Sequence, residues 1–301
     1  MLAIHVTLLL SISLQPANPA RDREPVPLWP NGAPGAKGNT AADIPTLIPY
    51  LLEGRENRPA VVICPGGGYG GLAMSHEGHE IAAWLNRNGI HAFICNYRHR
   101  GKGYGHPYPL MDAQRAIRIV RGNSTKWKVE PDRVGILGFS AGGHLASSSA
   151  THDSIGKLDA SDPLNGLECR PDFAVLCYAV IGFGKSYTHR GSQRNLLGKN
   201  PAPDLIRFYS NENRVDKKTC PTFLWHTAED RSVPAENSVR YFLQCQKHGV
   251  PSSLHVFEKG RHGIGLAKST PTARKWPDLC ISWLSASGFI APDPQSKSKQ
   301  P

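Results

Sequence analysis

The sequence predicts an α/β protein: a mostly parallel central sheet with helices on both faces. Three observations carry this. Short β-branched runs recur along the chain, helical periodicity fills the intervals between them, and the first two helical patterns stop at a glycine. A chain of 301 residues with 40% apolar residues can bury a large core. No linker-like shift in composition interrupts it, so one domain is expected over residues 21–290.

Strands are expected at residues 60–64, 92–97, 134–139, 173–179, 222–227 and 253–258. Each is apolar enough to be buried on both sides. Helices are expected where Ile81, Trp84 and Leu85 precede Gly89, and where Leu110, Ala113, Ile117 and Val120 precede Gly122. Further helices are expected at residues 140–150, 235–248 and 272–284. Residues 152–171 and 181–219 fit neither pattern; loops of that length in a compact domain commonly form lids or rims, and a helix-free lid is expected here.

The first 20 residues, MLAIHVTLLLSISLQPANPA, contain no Asp, Glu, Lys or Arg, and residues 2–14 are largely apolar. That length suits the core of a signal peptide and is too short to span a bilayer. Cleavage after Ala17 or Ala20 and export are expected, although a basic leading segment is missing. No later segment is apolar enough to cross a membrane. Residues 291–301 are polar and proline-containing, the composition of a disordered tail.

Lys and Arg number 35 against 24 Asp and Glu, a formal charge of +11. The basic residues are scattered and no nucleic-acid motif accompanies them, so a basic soluble surface is expected rather than nucleic-acid binding. Of seven cysteines, Cys64, Cys95 and Cys177 lie within apolar runs, where cysteine acts as a small hydrophobe. Cys169, Cys220, Cys245 and Cys280 leave room for a disulfide bridge. With neither a Cys-x-x-Cys pair nor a two-histidine helix motif, no metal is expected.

The chemistry centres on GFSAGGHLA, residues 138–146, between an expected strand and an expected helix. A serine hydroxyl attacks a carbonyl only when a base removes its proton and a sharp turn exposes it. Gly138 and Gly142 are the residues such a turn requires beside Ser140. The competing reading is a serine that merely caps the helix. A base is expected on a later loop. His248 ends a helix and His255 lies within a strand, whereas His262 lies in EKGRHGIG directly after that strand, among Gly260, Gly263 and Gly265. An acid to orient the imidazole is offered by FLWHTAEDRSVP, where Asp230 is favoured and Glu229 is the alternative. The order serine, acid, histidine suits an α/β scaffold. The stretch PGGGYGGLA fits neither phosphate-binding glycine pattern. It is read instead as an oxyanion hole built from the N–H groups of Gly67 and Gly68 with that of Ala141, and Tyr69 is expected at the pocket mouth as a substrate contact.

In this order, GGGY, GFSAGG, AED-x-x-VP and GRHG resemble the α/β-hydrolase fold esterases, and more narrowly the bacterial acetyl xylan esterase-like carbohydrate esterases. PLWPNGAPGA, HPYPLMDAQRAIRIVR and RPDFAVL followed by NLLG are similar to that group as well, so the resemblance spans about residues 27–290. It implies Ser140, Asp230 and His262 as a triad, the GGGY turn as oxyanion hole, no cofactor, and acetylated xylan or related sugars as substrate. One departure is HTAED, with Thr227 where glycine is common. Tyr69, Tyr97, Tyr178 and Tyr187 are candidates to stack on a sugar ring, with ordinary packing as the competing and commoner reading. The competing functions are a general small-ester carboxylesterase or peptidase with the same triad, and a non-catalytic sugar-binding relative.

Overall fold

The computed structural model describes residues 23–155 and 161–291. The expected leader therefore lies outside the described residues, as does the expected tail from residue 292 onward. Eight strands form one sheet in the order β1-β2-β4-β3-β5-β6-β7-β8. They are β1 (Val26–Pro27), β2 (Thr46–Tyr50), β3 (Arg58–Cys64), β4 (His91–Asn96), β5 (Val129–Phe139), β6 (Ala174–Cys177), β7 (Thr222–Thr227) and β8 (Ser252–Phe257). From β4 to β8 every neighbouring pair is parallel, whereas β2 runs antiparallel to β4 and β1 antiparallel to β2. This is the α/β arrangement that the strand and helix alternation predicts.

The helices are α1 (Glu80–Arg87), α2 (Tyr108–Gly122), α3 (Ser124–Trp127), α4 (Ser140–Thr151), α5 (Arg190–Leu197), α6 (Pro203–Phe208), α7 (Glu236–Lys247) and α8 (Trp276–Ala286). Strand alternation explains why both faces of the sheet are covered. Along β3, Ala60, Val62 and Cys64 face a core completed by Ile117 of α2, Leu145 of α4 and Tyr241 of α7. Val61 and Ile63 face the opposite core, with Leu85 of α1 and Trp276 and Leu284 of α8. Sheets buried on both faces need continuous apolar runs, which is what made these strands visible in the sequence.

All six expected strands form, with β5 starting earlier, at Val129, and β6 reduced to Ala174–Cys177. The sequence pattern misses β1 and β2. The first is only two residues long, and β2 contains Pro49, a residue that argues against a strand. Pro49 is tolerated because β1 ends opposite Thr46 and Leu47, leaving Pro49 paired with Phe93 on one side only.

The expected helix-free lid is corrected: α5, α6 and a 3₁₀ turn at Asn211–Asn213 occupy residues 181–219. Both helices are short; α5 is largely polar and buries only Ser192 and Leu196, so no apolar stripe announces it, and α6 is only six residues long. Local signals hold them instead: the His189 side chain caps α5 by accepting the Ser192 N–H, and Pro203 opens α6. The disulfide for which the sequence left room is not formed, because all seven cysteines are free and buried.

Candidate active site

The carboxyl ends of the parallel strands bring the candidate residues together. Ser140 is the first residue of α4, immediately after β5, and its φ is 52°. That left-handed conformation is costly for any residue with a side chain, and it turns the chain sharply enough to aim the hydroxyl off the sheet end. Only glycine fits beside it: a Cβ on Gly138 would lie 2.1 Å from the Gly142 carbonyl oxygen, and one on Gly142 would lie 2.0 Å from that of Cys64.

His262 follows β8, and its Nε2 lies 2.8 Å from Ser140 Oγ. Its Nδ1 lies 2.6 Å from Asp230 Oδ2. A carboxylate can only accept, so Nδ1 carries the ring proton and Nε2 is free to accept from the serine hydroxyl. Asp230 is itself anchored, with Oδ1 accepting the N–H groups of Ser232 and Val233, both at 2.9 Å. Burial works to raise this carboxyl, but hydrogen bonds from His226, His262 and the Val233 N–H outweigh it and hold Asp230 below the ordinary carboxylate range.

The alternatives lie elsewhere. Glu229 is exposed and turned to Lys259 Nζ at 2.9 Å and the Gly260 N–H at 3.2 Å. His255 Nε2 lies 3.0 Å from Ser253 Oγ within β8, and His248 ends α7. Thr227, the departure from glycine, has a use of its own: Oγ1 donates to the Gly260 carbonyl at 2.8 Å, tying the end of β7 to the loop that carries His262.

The glycine-rich loop lies against Ser140. A Cβ on Gly66 would come within 2.6 Å of Glu77 Oε2 and 3.0 Å of Ser140 Cβ, and one on Gly67 would lie 2.2 Å from the Gly71 carbonyl oxygen. Gly67, Gly68 and Tyr69 all have positive φ, at 135°, 62° and 55°. Among the described residues no acceptor occupies the N–H of Gly67 or Gly68, while the Gly68 carbonyl accepts from Asn195 Nδ2 at 2.8 Å. Ala141, in the first turn of α4, has an N–H with no carbonyl one helical turn before it.

Tyr69 does not stand at the pocket mouth. Its ring is only 1% exposed, and its hydroxyl lies 2.9 Å from His144 Nδ1. His144 Nε2 lies 2.8 Å from the Tyr209 carbonyl, which only accepts, so Nε2 carries the proton and Nδ1 accepts from Tyr69. Burial lowers the His144 pKa to about 3 and keeps it neutral. The other three tyrosines are buried as well. Tyr97 donates to the Pro65 carbonyl at 2.7 Å, Tyr178 to Glu77 Oε1 at 2.7 Å, and Tyr187 to Glu212 Oε1 at 3.1 Å. All four are pegs that hold the site's loops, not platforms open to a sugar.

Several supporting residues escaped the sequence reading. Glu77, buried, accepts the Gly66 N–H through Oε2 at 2.8 Å and the Tyr178 hydroxyl through Oε1. Tyr178 Oη in turn accepts the Gly265 N–H at 2.9 Å, and its ring stands edge-on to His262 at 5.0 Å. One carboxylate thus joins the glycine loop to the histidine loop. His189 adjoins the site: its Cε1 would lie 3.9 Å from a Cβ on Gly68, and burial, then the charge of His262, lower its pKa. No spacing rule marks these residues. Glu77 had one weak signal, an acidic side chain in AMSHEGHEIAAWL just before a buried helix.

Residues 50–244 match the BD-FAE family, a span that includes Ser140 and Asp230 and ends before His262. The chain belongs to the BD-FAE family of α/β-hydrolases. It is 36% identical over 226 residues to endo-1,4-beta-xylanase B of Butyrivibrio fibrisolvens, covering 74% of this chain and 35% of that one. It is 36% identical over 225 residues to the acetylxylan esterase of Xylanibacter ruminicola, covering 73% of this chain and 43% of the relative. The chain thus spans less than half the length of these curated relatives. A crystal structure of an acetyl ester-xyloside bifunctional hydrolase from Caldicellulosiruptor lactoaceticus superposes with a TM-score of 0.83 at 46% identity, over 89% of this chain and 97% of that one. This BD-FAE chain is therefore related to carboxylic ester hydrolases.

Proposed function

We propose that the protein is a serine esterase that removes acetyl or other short acyl groups from carbohydrates, with acetylated xylan or xylo-oligosaccharides as the leading substrate class. The observation that carries the reading is the unbroken relay from Ser140 Oγ through His262 to Asp230, at 2.8 and 2.6 Å. The names of the 36% identical acetylxylan esterase and of the 46% identical acetyl ester-xyloside hydrolase support the substrate class.

In this reading Ser140 Oγ attacks the acyl carbon while His262 Nε2 takes its proton. Asp230 stabilises the imidazolium without becoming protonated, since its carboxyl is held below the ordinary range. The tetrahedral oxyanion is received by the N–H groups of Gly67, Gly68 and Ala141, each donor contributing about 3 kcal/mol. His262 then gives that proton to the departing sugar oxygen as its bond to the acyl carbon breaks, and water repeats the sequence to release the acid. Export through the N-terminal leader belongs to the same proposal and suits a polymeric substrate.

Acetate release from acetylated xylo-oligosaccharides, compared with longer acyl esters and aminoacyl amides, tests it. Ser140→Ala should lower kcat by about 10⁶, and a fluorophosphonate probe should label the unmodified protein at Ser140. Acetate release undiminished in Ser140→Ala would overturn the proposal.

A further inference from the structure

Two clefts are cationic, and one of them reaches the site. One, of ≈ 350 Å³, is lined by Arg231, Arg261, Ser232, Glu229 and His262 itself. Its carboxylate, Glu229, is already engaged by Lys259 and Gly260. The other, of ≈ 610 Å³, carries Lys185, Arg190, Arg194 and Lys199 with only glycine, threonine and glutamine between them. Among the described residues none of these six cations enters an ion pair. All six are exposed. Some other arginines are matched, Arg98 to Asp112, Arg115 to Asp162, Arg121 to Asp172 and Arg170 to Asp153.

The second cleft is fixed relative to the site by α5. Arg190 and Arg194 share that helix with Asn195, which holds the Gly68 carbonyl, and its cap His189 stands beside Gly68. Lys185, Arg190, Arg194 and Lys199 come from one stretch of chain, whereas folding brings Arg231 and Arg261 together beside His262.

We propose that the substrate is an anionic carbohydrate: an ester-bearing chain whose neighbouring sugars carry carboxylate or sulfate groups, laid across Ser140 between the two cationic clefts. This rests on the esterase reading for its placement. Guanidinium groups pair with carboxylate and sulfate oxygens in a fork, and a concave lining of one sign concentrates the potential that draws such groups in. A neutral xylo-oligosaccharide would leave all six cations outside any ion pair.

The experiment has two readouts. First, kcat/KM of the unmodified protein is compared on neutral, glucuronate-bearing and sulfated acetylated xylo-oligosaccharides across ionic strength. The charged substrates are expected to exceed the neutral one by about tenfold at low salt, the advantage collapsing as salt rises. Preference for the glucuronate over the sulfated substrate assigns the carboxylate as the recognised group, and the reverse assigns the sulfate. The charged-to-neutral ratio should fall severalfold in Arg190→Gln/Arg194→Gln and in Arg231→Gln/Arg261→Gln; a ratio measured within one protein cancels any loss of folded enzyme. A ratio of one at low salt overturns the inference. Second, Ser140→Ala protein is titrated calorimetrically with de-esterified oligosaccharides, charged and neutral, and tighter, salt-sensitive binding of the charged ones is expected. Equal binding overturns the inference. Hydrolysis of 4-nitrophenyl acetate separately reports the esterase reading: charged binding without any ester hydrolysis would sink that reading and the placement of the sugar chain across Ser140, leaving only the preference for charged sugars.

Discussion

Glu77 and Gly66, eleven residues apart, meet through a 2.8 Å hydrogen bond from the glycine N–H to a buried carboxylate oxygen. The other oxygen of Glu77 accepts from Tyr178 at 2.7 Å. An amide has one oxygen where a carboxylate has two, so Glu77→Gln forces Gly66 or Tyr178 to face a donor. Because a hydrogen bond to a charged group contributes about 1.5–3 kcal/mol, kcat on a short acetyl ester should fall about 10- to 100-fold with KM changing less. Tyr178→Phe should be milder, and the double variant should fall short of the sum of the two. Wild-type kcat in Glu77→Gln would show that the bond does not position the glycine loop.

The two adjacent acids separate cleanly. Asp230→Asn should depress kcat by about 10⁴, because an amide can hold the wrong histidine tautomer. Glu229→Gln removes an exposed contact with Lys259 and should change kcat by no more than about threefold. Steady-state kinetics on both variants decides between them.

Much of this site was legible because each part follows a local rule. A strand, a glycine-flanked serine and a helix follow one another without a gap, so the sequence alone places GFSAGG at the carboxyl end of a sheet strand. His262 was distinguishable from His255 because one follows a strand and the other lies inside it. Tyrosine carries no such positional grammar. An aromatic near a site packs, pegs or stacks with the same sequence signature, and here Tyr69, Tyr97, Tyr178 and Tyr187 are all buried. Short polar helices such as α5 were equally invisible, since capping and contacts to distant loops, not an apolar stripe, hold them in place.

Tyr69→Phe should expose the difference between a peg and a platform. It removes the donor to buried His144 Nδ1 and should cost about 1–3 kcal/mol of stability, while KM for oligosaccharides stays near wild type. Thermal melts and kinetics together check this. A large KM increase with unchanged stability would restore Tyr69 as a substrate contact.

His144 also sets a pH dependence. Its folded pKa of about 3 lies below the unfolded value of about 6.5, so between them the unfolded chain binds more protons. Stability should therefore decline as pH falls through that window. His144→Gln should be destabilised at neutral pH yet show a shallower decline, measured as melting temperature against pH.

Glu212 has the opposite sign. Burial raises its pKa, and Oε2 has no hydrogen-bond partner among the described residues. A raised carboxyl favours folding while protonated and disfavours it as pH climbs past the ordinary glutamate value of about 4.3. Glu212→Gln retains an acceptor for Tyr187 and should gain about 1 kcal/mol at neutral pH. A denaturant midpoint lower than wild type at pH 7 would contradict this.

Helix α5 carries Arg190 and Arg194 on the wall of one cleft, while Asn195, one residue on, grips the carbonyl of Gly68. Both sets of groups are borne by the same helix. Substitutions that retune the choice of sugar by shifting this helix would also displace the glycine loop, so selectivity and turnover are mechanically coupled. The Arg231 and Arg261 side offers directed evolution toward a new polymer no easier route, since these cations directly adjoin Asp230 and His262 in the chain.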